Sequence, residues 1–278
     1  MKRENITSTQ NVKIKELLAL QEKARLRREK SLFVVEGRRE LGHCLAAGYV
    51  PDTVFYCPDI IGREETDIFI RPDETLSRLV GPGILRARTL VEVPAFLYDK
   101  VAYRGGTEGV IAEMQCSERT LGDLRLSEHP LVVVLESVEK PGNLGAVLRS
   151  ADAAGADAVI VCDPLTDLYN PNLIRSSIGG VFTVQCCAAS SEQAISWLKE
   201  HGIRIFTAQL QDSEWYYDTD MKQGTAIVIG TEATGLTDIW RKAADAHIKI
   251  PMLGELDSLN ASVSAAILLF EAVRQRNS

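Results

Sequence analysis

From Leu131 onward the chain alternates short apolar runs with stretches of helical periodicity. LVVVLE (131–136), AVIVC (158–162), VFTVQCC (181–187), IRIFTA (203–208) and AIVIG (226–230) are rich in β-branched residues, the composition of buried strands. Residues 143–155, 171–178, 190–200 and the closing 259–275 read as helices. Strands alternating with helices of this length imply right-handed crossovers and a parallel sheet covered on both faces, an α/β domain. On the last helix Val263, Ile267, Phe270 and Val273 recur at helical spacing, behind Ser258 and Asn260, both good N-caps; caps plus a core-facing stripe account for that segment without any activity.

The first half has a more mixed pattern. A helical stretch leads to a strand LFVVE (32–36), a helix from about Arg38 to Ala47, a strand TVFYC (53–57) and a closing strand GVIAEMQ (109–115), with 62–71 and 81–83 read as loops. SERTLGDLRLSEHP (117–130) is polar and ends on a proline, the texture of a linker. The predicted organisation is therefore a domain over 1–116, a linker over 117–130 and an α/β domain over 131–278.

Composition changes this picture little, and the placement of charge changes it more. The net charge of −7 argues against a nucleic-acid partner, yet residues 1–40 hold eleven Lys and Arg against six Asp and Glu, while the other 238 residues hold 20 against 32. A basic arm on an acidic body is a nucleic-acid-binding pattern, and also the pattern of a solvated charged helix. The six cysteines form no C-x-x-C pair and the four histidines are scattered, so no metal site is expected, and reduced, buried thiols suit the cytoplasm. No apolar run reaches the roughly 20 residues of a membrane helix. No apolar stretch follows the basic opening either, so neither a membrane anchor nor a secretory signal is expected.

Three constellations carry candidate chemistry. In LESVEKPGNLGAVLRSADAAGA (135–156) a strand ends at a Pro-Gly turn and Asn143 opens a helix, with Arg149 six residues on. Free amides at a helix N-terminus suit an anion, and an arginine fork suits the same phosphate. An ordinary strand–turn–helix with an Asn cap has the same residues. GNLGAV is not a G-x-G-x-x-G dinucleotide fingerprint, although Asp163 at the end of the next strand keeps a ribose-binding acid in view. In AIVIGTEATGL (226–236) a strand runs into Gly230, Thr231, Glu232 and Gly235, placing a carboxylate in a loop at a strand's carboxyl end, where α/β folds bind ligands. HIKIPMLGELDSLNASVSAA (247–266) joins a strand to the last helix through Pro251, Gly254, Asp257, Ser258 and Asn260.

Taken in order, N-x-G…R, G-x-E…G-L and I-P-M…S-L-N-x-S-x-S-A resemble the three motifs of the SpoU family of RNA ribose 2′-O-methyltransferases, and NPNLIRSSIGGVF (170–182) resembles the family's N-P…R-x-S-x-G segment. The resemblance covers essentially all of 130–278. More loosely, ITSTQNVKIKELLALQEKARLRREKSLFVVEGRRE and GVIAEM resemble the L30e-like substrate-binding domain that precedes the catalytic domain in many members. Where relatives often have Pro-Gln-Gly before the closing strand, this chain has Thr107-Glu108-Gly109.

The resemblance implies a trefoil-knotted parallel-sheet methyltransferase domain preceded by a smaller L30e-like α/β domain. It also implies a homodimer joined through the last helix and the first-motif helix, for which the stripe on 259–275 is as suitable as for an intrachain core. S-adenosylmethionine is the implied methyl donor, held mainly by backbone around Gly230, Ile250, Met252 and Leu259. Arg149 matches the family's essential arginine. A guanidinium with a pKa above about 12 is a poor base, so the preferred role is to grip the adjacent phosphate and stabilise the developing alkoxide, with the phosphate or a water taking the proton. Asn143 and Glu232 are expected to hold that arginine and the ribose, and Ser258 and Asn260 to shape the knot loop and orient the nucleotide. Arg175 and Ser177 are expected RNA contacts, joined by Lys23, Arg27 and Arg38; Lys23, Arg27 and Lys30 fall at i, i+4 and i+7, one face of a helix opposite Ile14, Leu17 and Leu18. Structured RNA, most of all 23S ribosomal RNA, is the expected substrate. The alternatives are a tRNA ribose methyltransferase, a resistance-type enzyme that shields an antibiotic site, and a catalytically inactive ribosome-associated RNA-binding protein.

Overall fold

The computed structural model describes residues 1–61, 72–103, 108–231, 234–255 and 258–278, and the expected loop at 62–71 lies outside them. The backbone divides into two compact units, Met1–Ser117 with Tyr169–Thr183, and Glu118–Leu168 with Val184–Ser278. Residues 169–183 thus group with the first unit although they fall in the second half of the sequence.

In the first unit the chain runs β1 (Lys2–Asn5), α1 (Val12–Glu22), α2 (Ala24–Lys30), β2 (Leu32–Glu36), α3 (Arg38–Ala46), β3 (Pro51–Tyr56), α4 (Pro58–Ile61), α5 (Pro72–Val80), β4 (Thr89–Glu92), α6 (Ala95–Val101) and β5 (Val110–Gln115). The sheet order is β1-β4-β3-β5-β2, with β5 antiparallel to both neighbours and the other pairs parallel. Ile14, Leu17, Leu20, Phe55, Val91, Leu97 and Ile111 fill its core. The strand β1 is KREN, largely exposed, and exists through its pairing with β4.

The basic arm is not one helix. Lys23 breaks it with φ −109° and ψ 102°, α1 ending before it and α2 starting after it. Arg27 is a correction to the expected RNA contacts. It is 3 % exposed, and its Nη1 donates to the carbonyls of Leu20 (2.6 Å) and Gln21 (3.2 Å). A cation there satisfies the orphan carbonyls at the negative end of α1, which outweighs its value on the surface. Lys30 is 2.6 Å from Glu16, Lys23 is exposed, and Arg38 opens α3 with its amide and Nε donating to Glu108. The departure at 107–109 therefore supplies a cap for α3; Thr107 itself lies outside the described residues.

Tyr169 stacks on Phe33 with centroids 4.3 Å apart, and its hydroxyl donates to Ser117 O at 2.6 Å. From there α8 (Pro171–Ser176) and α9 (Gly180–Thr183) follow. The apolar run VFTVQCC is accordingly not one strand: its first part is helical, and only Cys186–Ala189 is extended. Apolarity alone does not separate the two states. Ser177 is a second correction. It is 2 % exposed, its Oγ donates to Ile174 O (3.0 Å) and accepts from Val181 N (3.4 Å), so it shapes this turn and its hydroxyl is not presented to RNA.

Glu113, on β5, is 4 % exposed, and its Oε1 has no partner among the described residues. Burial, then the charges of Glu16 and Asp52, push its carboxyl up to about 8. Because the folded-state value lies above the unfolded one, the native state holds the proton longer. Stability therefore falls as pH rises from about 4.5 to about 8, by at most ~1.4 kcal/mol per unit. Urea unfolding from pH 5 to 9 is expected to show this slope in the native protein and to lose it in Glu113→Gln; an unchanged slope would refute the assignment.

The second unit holds β6 (Leu131–Glu136), α7 (Pro141–Ala153), β7 (Ala158–Cys162), β8 (Cys186–Ala189), α10 (Ser191–Glu200), β9 (Arg204–Ala208), β10 (Glu214–Trp215), β11 (Thr225–Ile229), α11 (Asp238–Ala243), β12 (Ala246–Lys249) and α12 (Ala261–Arg276). The seven strands are all parallel in the order β10-β12-β9-β11-β6-β7-β8. On one face Val132, Val134, Ile160, Ala226 and Val228 meet Ala194, Leu198 and Trp240 of α10 and α11. Leu121, Leu124 and Leu126 of the predicted linker pack on that core. On the other face α7 packs along α12, and α12 along β11.

The stripe predicted on α12 turns outward. Ala265, Leu268, Leu269 and Ala272 are the buried face, whereas Val263 and Phe270 are 46 % and 48 % exposed. Among the described residues no helix is long and apolar enough to cross a membrane.

Candidate functional site

Parallel strands leave their carboxyl ends at one edge of the sheet, and the loops that follow them build the ligand-binding crevice of such folds. The loops after β9, β11 and β12 and the first turns of α12 enclose a cavity of about 340 Å³. Gly230, Ile250, Met252 and Leu259 all line it, together with Ser258. Apolar walls come from Ile229, Leu236, Ile248 and Leu268, and polar groups from Gln209, Thr231, Arg241, Lys249 and Ser264. Gln209 and Arg241 stand outside the three constellations, and Lys249 and Ser264 lie within the third (247–266) without having been singled out there; their only sequence signal was a place near a strand end or on a helix.

The loop after β11 is closed tightly. Thr231 and Gly235 exchange backbone hydrogen bonds (3.1 and 3.3 Å), and the Thr231 and Thr234 hydroxyls lie 2.8 Å apart. A β-carbon on Gly230 would sit 2.3 Å from Gly235 C and 2.6 Å from Leu236 N, so only glycine fits this close backbone approach. Glu232 lies outside the described residues.

Asn260 is the N-cap of α12: its Oδ1 accepts from Ser262 N (3.0 Å) and Ser262 Oγ (2.6 Å). Its Nδ2 donates to Asn143 Oδ1 at 3.2 Å, which joins the first and third motifs directly. Asn143 is not the start of α7, which begins at Pro141; it is the third helical residue. Arg149 projects from α7 into solvent, forms no ion pair among the described residues, and is outside the cavity lining.

Asp163, the candidate ribose acid, is otherwise engaged: its Oδ2 accepts from Ser191 Oγ (2.6 Å) and Ser191 N (3.2 Å), capping α10. Arg175 lies in the first unit. It lines a separate cavity of about 230 Å³ with Gln21, Glu36, Arg39, Glu40 and Glu108, and its Nη1 is buried without a partner among the described residues.

A parallel sheet with a ligand-sized cavity at its carboxyl edge defines an α/β protein of the kind that binds a small molecule between strand-end loops. Residues 130–270 match the model of the SpoU rRNA methylase family, and residues 11–112 that of the MRM3-like substrate-binding domain; the chain belongs to the SpoU family. It is 30% identical over 251 residues to the 23S rRNA (uridine(2479)-2′-O)-methyltransferase of Streptomyces viridochromogenes, covering 88% of this chain and 83% of that one. It is 34% identical over 213 residues to the 23S rRNA (guanosine-2′-O-)-methyltransferase RlmB of Vibrio vulnificus, covering 74% and 86%. A solved AdoMet-bound rRNA methyltransferase from Sinorhizobium meliloti, 27% identical, covers 98% of each chain with a TM-score of 0.85.

Proposed function

We propose that this protein transfers a methyl group from S-adenosylmethionine to a ribose 2′-hydroxyl of 23S ribosomal RNA. The observation that carries the reading is the convergence of Gly230, Ile250, Met252, Ser258 and Leu259 on one cavity, in a chain whose relatives are named as 23S rRNA 2′-O-methyltransferases. A volume of about 340 Å³ lies in the range of small-molecule sites. Ile229, Leu236, Ile248 and Leu268 offer an apolar slot for an adenine ring, and the backbone exposed at Gly230 suits hydrogen bonds that a side chain would block. Bound there, the cofactor supplies an electrophilic methyl group on a sulfonium sulfur.

The protein's residues do the rest by position and charge. Arg149, exposed on α7, grips the phosphate beside the target ribose and stabilises the alkoxide as the proton leaves to that phosphate or to water. Asn143 and Asn260, already bonded to each other, set α7 against the start of α12; Ser258 on the cavity wall orients the nucleotide, and Glu232 joins Asn143 in holding Arg149 and the ribose. In the first unit Lys23, Arg38 and Arg175 contribute phosphate contacts that weaken with salt.

The same reading carries the last segment through a trefoil knot and pairs two copies across α7 and α12. The outward Val263 and Phe270 suit that pairing, since two large exposed apolar side chains on one helix face favour a partner surface. It places the enzyme in the cytoplasm with its ribosomal substrate. Mapping 2′-O-methylation across ribosomal and transfer RNA, with and without the gene, tests the whole: loss of one 23S site is expected, and unchanged ribosomal RNA would overturn it.

A further inference from the structure

We propose that Glu136 is a positioning residue for the cofactor site, acting through Thr237 to hold Leu236, Gly235, Thr231 and Gly230 in their cavity-forming arrangement. The inference rests on the cofactor reading above. Glu136 ends β6, is 3 % exposed and faces α10 and α11, on the same side of the sheet as Val132 and Val134. One carboxylate oxygen accepts from Thr237 N at 2.8 Å, and the other from Thr237 Oγ1 at 2.5 Å. Ser191 Oγ is 3.4 Å from Glu136, but its single proton has a nearer acceptor in Asp163 Oδ2 at 2.6 Å, and it accepts from the Trp240 indole at 3.0 Å. The two donors of Thr237 are therefore what holds the Glu136 charge.

From Thr237 the restraint passes back along the chain without slack. Leu236, its neighbour, is buried and lines the cavity, Gly235 is locked to Thr231 by two backbone hydrogen bonds, and Gly230 is pressed against Gly235. The backbone turns sharply where the carboxylates are tucked in: Ser137 (φ 52°) directly follows Glu136, and Asp163 itself has φ 48°. Non-glycine residues held in this region mark a structure over-determined by its surroundings. An ionised carboxylate with two donors is a strong, directional anchor, and an uncharged amide in its place offers a donor where two donors already point.

The test uses the full chain and S-adenosylhomocysteine as the binding probe. Glu136→Gln is expected to weaken probe binding about tenfold, to raise KM for S-adenosylmethionine similarly, and to leave kcat at saturation and KM for RNA within about twofold. Thr237→Val, at an exposed side chain, removes one donor and is expected to cost about threefold; the double variant is expected to bind no more weakly than Glu136→Gln alone. Binding is measured well below each variant's Tm. A lowered Tm with unchanged probe affinity in both variants, or additive losses in the double, would overturn the proposal. If Glu136→Gln fails to fold, wild-type affinity in Thr237→Val overturns it alone. Absence of probe binding to the native protein would instead remove the cofactor reading on which it rests.

Discussion

Replacing Arg149 by alanine is expected to reduce methyl transfer by about 10³-fold, the scale of removing a donor aimed at developing transition-state charge, while S-adenosylhomocysteine binds as before. The two halves of that expectation have separate causes. Arg149 lies outside the cavity lining and is exposed on α7, so its loss leaves the cofactor's surroundings intact. Its planar fork matches a phosphate in two-point fashion, a geometry that lysine's single ammonium does not reproduce. Arg149→Lys is therefore expected to keep phosphate attraction yet lose most of the turnover, about 10²-fold, with the loss in kcat. Single-turnover transfer to ribosomal RNA, followed with labelled methyl donor, reads both variants. A lysine variant with near-normal turnover at neutral pH would remove the two-point grip, and weakened probe binding in the alanine variant would move Arg149 into the cofactor's surroundings.

Gly230→Ala is expected to have the second large effect, this time on binding. An added β-carbon would meet Gly235 C at 2.3 Å, Gly235 O at 2.4 Å and Leu236 N at 2.6 Å, all backbone atoms that no rotamer change can move. The loop must open, and with it the Thr231–Gly235 pairing and the cavity wall at Leu236. A loss of S-adenosylhomocysteine affinity of about 100-fold or more is expected, with a lower Tm, since overpacking of this kind costs at least ~1–3 kcal/mol in an ordinary core and more against backbone. Calorimetric titration beside thermal unfolding checks it. Native affinity in this variant would show that the loop relaxes freely, which the backbone contacts forbid.

Much of the second unit was legible from sequence because buried parallel strands are continuous apolar runs. LVVVLE, AVIVC, IRIFTA and AIVIG became β6, β7, β9 and β11 within a residue. The run VFTVQCC failed for the same reason that the others succeeded: its apolarity reports burial, and its first two residues, Val181 and Phe182, are buried in a helical turn. The weak strands β1 and β10 carry no pattern of their own and form by pairing at sheet edges. In the first unit one long amphipathic cation lies where its sequence pattern does not put it. Arg27 reads as surface charge in one dimension, yet the break at Lys23 brings it under the carbonyls that end α1.

The candidate site divides in the same way. Residue type and order along the chain determined the motif positions, because glycine at a strand's end, an asparagine cap and an arginine on the following helix are local requirements that a sequence states directly. Gly230, Ile250, Met252, Ser258 and Leu259 were named through the resemblance that this order of motifs bears to the SpoU family. Only the tertiary structure decided that they share one cavity, that Asn143 bonds to Asn260 across 117 positions, and that Glu136 reaches Thr237 across 101. It also decided the direction of the α12 stripe: helical spacing shows that Val263 and Phe270 share a side, but which side meets the sheet depends on how α7 and β11 pack against the helix, and they take Ala265, Leu268 and Ala272 instead. Periodicity is a property of one element, whereas burial and contact are properties of pairs, and pairs form only when the chain has folded.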